Sequence, residues 1–232
     1  VNYLNSVPRN PAFFRDWQAK HNVASHDVPI LSKKGASQKD SPETESTRYI
    51  FVPLQVNTDS QIVLFSPWVD NMEHLIRVLS AAASALGDQI PKIIIKTHPA
   101  CDTDYSQLAA QLPSKRIELI TSGDTPSLIA NATGVVTINS TVGIEAILAG
   151  IPTLVLGQAF YAIEGLTLSA QDETTLASGL VELSSFTADE KLRAGWLHYL
   201  RHEYQVSGGW RKADDSHLAA MTDKIIQTVT SS

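Results

Sequence analysis

One cysteine, Cys101, stands in 232 residues, so no disulfide can form within the chain. A lone thiol close to His98-Pro99 could act as a nucleophile, but a small, partly buried residue is the commoner role for a free cysteine. Long apolar runs are also missing. None approaches the roughly 20 residues that cross a bilayer, and the opening residues do not read as a secretory leader. Positive charge is scarce: 18 Lys and Arg stand against 24 Asp and Glu, a net -6. That balance argues against a nucleic-acid surface built on phosphate contacts, so any basic site must be local. No G-x-G-x-x-G follows the first strand-like run, which argues against a dinucleotide cofactor. Residues 32–47 contain no large apolar side chain. They cannot bury enough surface to order themselves, and a mobile linker is expected there. No internal repeat is present.

What the chain does have is a 43% hydrophobic content, ample for one large α/β domain. Asn10-Pro11 reads as an N-cap and first helical position for a short amphipathic helix. From Arg48 onward, strand-like runs alternate with helical ones. Strands are expected at Tyr49–Val52, Lys92–Lys96, Ile117–Ile120, Val135–Ile138 and Thr153–Leu156. Helices are expected at Asn71–Leu86, Tyr105–Leu112 and Pro126–Asn131, and between Thr141 and Gly150. Gly87 and Gly150 suit helix C-termini. After residue 170 three helices follow, at Glu173–Leu183, Ala188–Tyr204 and His217–Val229. Such alternation predicts a Rossmann-like parallel sheet with helices on both faces and a helical C-terminal extension. The expected division is an N-terminal segment (1–31) belonging to an inter-domain or preceding region, a flexible linker (32–47), a nucleotide-sugar-binding domain (48–170), and C-terminal helices (171–232) packing on that domain or crossing back from it.

The candidate chemistry lies at the carboxyl ends of these strands, where open α/β sheets bind ligands. Asn139-Ser140-Thr141 places small polar side chains where a helix begins, with Gly143 close behind. A helix N-terminus offers free N–H groups and a favourable dipole to a phosphate. Simple capping by Ser140 or Thr141 is the plainer role, and the two are compatible. Glu145 lies one turn further on, off the capping-box register. It could accept a ribose's two hydroxyls or merely face solvent. Lys96-Thr97-His98-Pro99 follows a strong strand; His98 could donate to a phosphate, or only satisfy its loop. Gln55-Val-Asn-Thr-Asp59-Ser-Gln61 is a polar run straight after a hydrophobic strand. Asp59 there could be a nucleophile or base, and spacing alone favours an Asx-turn or N-cap. Phe160 and Tyr161 could contact a base or sugar, or cover the core. His198, Arg201 and His202 share one helical face; a basic surface is the better reading than a metal pair.

Together these segments carry a resemblance. Val1-Asn-Tyr-Leu-Asn-Ser-Val-Pro8, the Gln55–Gln61 run, Ser66-Pro-Trp-Val69, Lys96–Pro99, Ile138-Asn-Ser-Thr-Val-Gly-Ile-Glu-Ala146, Ala159-Phe-Tyr161 and Tyr199-Leu-Arg-His-Glu-Tyr-Gln205 resemble the capsule polysaccharide biosynthesis family, which includes bacterial β-Kdo glycosyltransferases. The likeness implies the C-terminal, donor-binding half of a GT-B-like enzyme using CMP-Kdo, a CMP-activated acidic sugar. His98 and the Ser140/Thr141 turn would hold the phosphate, Glu145 the ribose, and Asp59, paired with Gln55 in a Gln-x-x-x-Asp pattern, would be the nucleophile of a retaining mechanism. Kdo's own carboxylate has Arg201 and Arg211 as available cations. No metal or other cofactor is expected. Implied partners are the CMP-sugar donor and a glycan or glycolipid acceptor, with no nucleic acid. The implied location is cytoplasmic, with room for peripheral association at the inner face of the bacterial inner membrane. Because the chain enters mid-motif at Val1, it is expected to be the C-terminal part of a longer protein, with the acceptor half before it. Two rivals remain: a UDP-sugar 2-epimerase-like enzyme, which usually shows Gly-Gly in the phosphate turn where this chain has only Gly143, and a non-catalytic scaffold of polysaccharide assembly or export.

Overall fold

The computed structural model describes residues 7–24, 48–209 and 213–230. The linker expected at 32–47 and the cation Arg211 lie outside the described residues. Six strands form one parallel sheet: β1 (Tyr49–Pro53), β2 (Lys92–Lys96), β3 (Ile117–Ile120), β4 (Gly134–Thr137), β5 (Thr153–Val155) and β6 (Leu168–Ser169). Their order across the sheet is β3-β2-β1-β4-β5-β6. β1 is central and buried from Ile50 to Pro53, as expected of a strand covered on both faces.

The period of two in the strands sorts the core into layers. Ile50, Val52, Ile93, Ile95, Val136 and Leu154 face α3 (Met72–Leu86) and α7 (Glu173–Leu183), meeting Leu75, Leu79, Leu176 and Leu180. Phe51 and Val135 face the other way, onto Ile129 of α5 (Thr125–Ala130) and Ala146 of α6 (Val142–Ala149). Asn71 caps α3 by accepting the His74 N–H, and Gly150 ends α6 at φ 72, a left-handed value that favours glycine. Two further helices, α2 (Ser60–Phe65) and α4 (Ser106–Ala110), follow β1 and β2.

The N-terminal segment contributes α1 (Pro11–Lys20), with Asn10 as N-cap and Pro11 in the first turn as expected. It packs on α8 (Glu190–Tyr199). Phe14, Val155, Ile163, Leu192 and Trp196 share a second core cluster, which ties both helices to the β5 side of the sheet. The long helix expected over 188–204 divides into α8 and a π-helical turn, Leu200–Tyr204. The last helix, α9, runs Asp215–Thr230. Besides a 3-10 turn at Gly87–Gln89, two elements were not foreseen. α2 has only six residues and a strand-like composition, and β6 only two residues. The helix expected at Tyr105–Leu112 is shorter, and the strand expected at Val135–Ile138 begins one residue earlier. Among the described residues no helix is long and apolar enough to cross a membrane.

The α1–α8 junction yields two predictions. A Cβ on Gly195 would overlap the Phe14 carbonyl oxygen, so Gly195→Ala should destabilise the fold by about 1–3 kcal/mol, read by urea denaturation. His198 accepts a hydrogen bond from Trp17 Nε1–H at 3.3 Å, which requires an unprotonated Nδ1. Burial, and then the neighbouring His202, His21 and Arg201, push the His198 pKa below its ordinary value. The unfolded chain therefore takes up this proton at higher pH than the folded one. Its stabilisation is present above about pH 6.5 and is lost as pH falls below that. Replacing His198 by Gln should flatten this acid limb of the stability–pH curve.

Candidate functional site

The order of strands creates the site. The chain leaves β1 towards β2 and leaves β4 towards β5, so the loops after β1 and β4 diverge and open a crevice at the strands' carboxyl ends. A cleft of about 370 Å³ lies there, lined by Gln55, Val56, Thr58, Asp59 and Gln61 after β1, His98 after β2, and Asn139, Ser140 and Thr141 after β4. Three segments far apart in sequence meet at one place.

Each side chain is held by identifiable bonds. Gln55 is buried; its Oε1 accepts the Asn139 N–H at 3.2 Å, and its Nε2 donates to Asp59 Oδ2 at 3.4 Å. Asp59 is the N-cap of α2, its Oδ1 accepting the Gln61 N–H at 2.9 Å. The capping role and a chemical role are compatible here, because they use different oxygens. His98 is exposed, and its Nδ1 accepts the Ala100 N–H at 3.1 Å. That bond leaves the neutral ring's proton on Nε2, the atom free to donate to a ligand. At the start of α6, Ser140 Oγ accepts the Val142 N–H at 3.2 Å. Thr141, exposed, keeps its own N–H and hydroxyl without a protein partner among the described residues. They are the free donors at this helix N-terminus.

Other expected site residues take different positions. Asn139 lines the cleft but turns its amide away, donating to the carbonyls of Gln61 at 2.7 Å and Phe65 at 2.9 Å. Lys96 sends its ammonium to Thr125 Oγ1 at 2.8 Å and does not line the cleft. Pro99 sits exposed in the turn beyond His98. Glu145 is half-buried, and burial raises its carboxyl above the usual range; it stands one turn behind the lining residues. Tyr161 is 1% exposed, so it has no face to offer a base or sugar. Its hydroxyl donates to the Ser140 carbonyl, and a Cβ on Gly143 would overlap its ring. Phe160 packs with Trp196 and Tyr204 in the second core cluster. Both aromatics are therefore core covers, because the chain after β5 folds back onto α8. Thr58 and Val56 were missed; their only signal is membership of the same polar run as Gln55 and Asp59. His198 and His202 form part of the α1–α8 junction, and among the described residues no group of three or more His, Cys, Asp or Glu side chains is arranged to hold a metal.

The sequence profile described as "Capsule polysaccharide biosynthesis protein" matches residues 18–209, which contain every residue lining the cleft. The chain belongs to that family. It is 33% identical to Protein FixF of Sinorhizobium fredii over 224 residues, 96% of this chain and 54% of that protein. It is 30% identical to the capsule polysaccharide modification protein LipB of Neisseria meningitidis serogroup B, over 76% of this chain and 46% of that one. The chain thus spans about half the length of these curated relatives. Among solved structures it is similar to the Thermosulfurimonas dismutans KpsC β-Kdo 2,7 transferase, with 22% identity, a TM-score of 0.48, and coverage of 83% of this chain and 55% of that one.

The buried hydroxyl beneath the α6 turn is testable. Tyr161→Phe in this capsule-family chain should lower stability by about 1 kcal/mol, because the Ser140 carbonyl loses the buried hydroxyl and keeps only the Gly143 N–H as donor. Urea denaturation midpoints read the effect, and an unchanged midpoint would remove this bond from the account of the turn.

Proposed function

We propose that this chain is the donor-binding half of a glycosyltransferase that transfers Kdo from CMP-Kdo to a growing bacterial surface polysaccharide or glycolipid. The observation that carries the reading is the charge inventory of the cleft: among the described residues its lining holds one carboxylate, Asp59, one imidazole, His98, and no Lys or Arg. Such a lining suits the single phosphate of a CMP-linked donor, with the sugar's own carboxylate met by groups other than these lining residues. A diphosphate donor would concentrate two charges on adjacent phosphates at this one helix N-terminus, where the described lining offers only His98 with hydroxyl and backbone donors to meet them. Family membership and the sequence resemblance support the same class of reaction.

The chemistry then follows from the named atoms. As the bond between the sugar and the phosphate oxygen breaks, negative charge grows on the departing CMP. His98 Nε2–H, the Thr141 N–H and hydroxyl, and the dipole of α6 stabilise that charge. Asp59 Oδ2 attacks the anomeric carbon as the CMP oxygen leaves; the acceptor's hydroxyl, giving its proton to the released CMP phosphate, then displaces the carboxylate, so configuration is retained. Glu145, one turn into α6, holds the ribose hydroxyls. The acceptor half would belong to the rest of the protein, whose curated relatives are about twice this chain's length, and the enzyme would be cytoplasmic, with room for peripheral association at the inner membrane.

Replacing Asp59 by Asn keeps an Oδ1 acceptor for the α2 cap and removes the nucleophile. Transfer from CMP-Kdo should then be abolished while CMP binding persists; near-normal turnover would overturn the assignment. Replacing His98 by Ala should weaken CMP binding by about 1.5–3 kcal/mol, the scale of a charge-assisted hydrogen bond. An unchanged affinity in the titration would take His98 out of the site.

A further inference from the structure

Asn139 sits in the motif where a phosphate ligand is expected, yet its side chain has nothing to give a phosphate. The Nδ2 group has two hydrogens, and two carbonyls of α2 receive them, Gln61 O at 2.7 Å and Phe65 O at 2.9 Å. Its Oδ1 is buried with no hydrogen-bond partner among the described residues, and an acceptor oxygen repels an anion. The residue as a whole is 7% exposed. An amide in this position therefore serves α2, not the donor.

The helix it serves needs help. α2 is six residues long, too short to be stable alone. Its only buried residue is Ile62, while Val63 and Leu64 are each 68% exposed. Beyond the Asp59 cap, it is held by the Asn139 amide and by the Gln158 N–H, which donates to Phe65 O at 2.8 Å. The same Asn139 gives its backbone N–H to Gln55 Oε1, and Gln55 Nε2 reaches Asp59 Oδ2. One residue thus supports Asp59 twice: through the helix that Asp59 caps and through the glutamine beside its free oxygen. The neighbouring strand end makes room for this. A Cβ on Gly157 would overlap both the oxygen and the nitrogen of the Asn139 amide, so the chain after β5 must carry glycine where it passes the amide.

We propose that Asn139, seated against Gly157, is a positioning residue that locks α2 to the phosphate turn and so sets the place of the Asp59 carboxylate in the cleft. The functional half of this inference rests on the donor-transferase reading above; the structural half does not. Asparagine is required because two donors must meet two carbonyls. An aspartate of the same shape would point an anion at both. Binding at the Ser140–Thr141 turn and chemistry at Asp59 are then mechanically joined through one side chain.

Two variants test this from opposite sides. Asn139→Asp replaces the donors without changing shape, and Gly157→Ala displaces the amide while leaving residue 139 intact. Hydrogen exchange of the α2 amides should accelerate by about tenfold or more in both, with α3 unchanged. CMP affinity should stay within about twofold, while kcat for transfer from CMP-Kdo by the full-length protein falls by about 10- to 100-fold at unchanged donor KM. Unchanged exchange in α2 would overturn the clamp. A loss of CMP affinity with kcat intact would make Asn139 a ligand and overturn the proposal equally. A wild-type protein that neither binds CMP nor transfers Kdo would remove the transferase reading alone, and the exchange data would still decide the clamp. Should Asn139→Asp fail to fold, Gly157→Ala carries the comparison.

Discussion

The hydrogen bond from the Asn139 backbone N–H to the Gln55 side-chain oxygen crosses the line where the sheet changes its direction of winding. Strand order opens a crevice between the ends of β1 and β4; this bond joins its two walls. From the Gln55 end, contact continues to Asp59 and so to the cap of α2. From the Asn139 end, it continues through Ser140 into α6 and through the amide back to α2. Burial of Gln55 and Asn139 removes competing water, which makes a satisfied polar network stronger and an unsatisfied one costly. The geometry at the cleft is therefore the product of a closed loop of bonds, with Tyr161 below supporting the Ser140 carbonyl.

Much of the fold was legible because β1, β2 and β3 are short apolar runs and several helices carry clear caps. Asn10-Pro11, Asn71, Gly87 and Gly150 ended or began helices as their local chemistry requires. The elements that escaped are short. Ser60–Phe65 carries Ile, Val and Phe in six residues, too few to express a helical period, and its helical state depends on the Asp59 cap and on Asn139 reaching across from β4. The two residues of β6 are strand only because β5 lies beside them.

For the site, the strand-end rule was enough to pick residues that converge from three distant segments: Gln55, Asp59 and Gln61, His98, and Asn139 to Thr141. It was not enough to say where a side chain points. Lys96 lies at a strand end like the others, but Thr125 on the neighbouring helix draws its ammonium away. Asn139 lies in the turn but faces α2. Tyr161 lies beside the turn but beneath it, where burial pushes its hydroxyl pKa upward and holds it neutral. In each case tertiary neighbours, which the local sequence does not encode, choose the direction.

The removal of Lys96 from the cleft has a chemical consequence. In the proposed reading it leaves His98 and the open end of α6 to meet a phosphate, which is modest positive potential by the standards of diphosphate sites. Nucleotide preference is thus the sharpest test of the account. The decisive measurement is a calorimetric titration of this protein with CMP and, separately, with UDP. A saturable CMP isotherm and no UDP binding at the same concentrations are expected. UDP binding as tight as CMP would contradict it, and would turn the cleft into a diphosphate site of the epimerase kind.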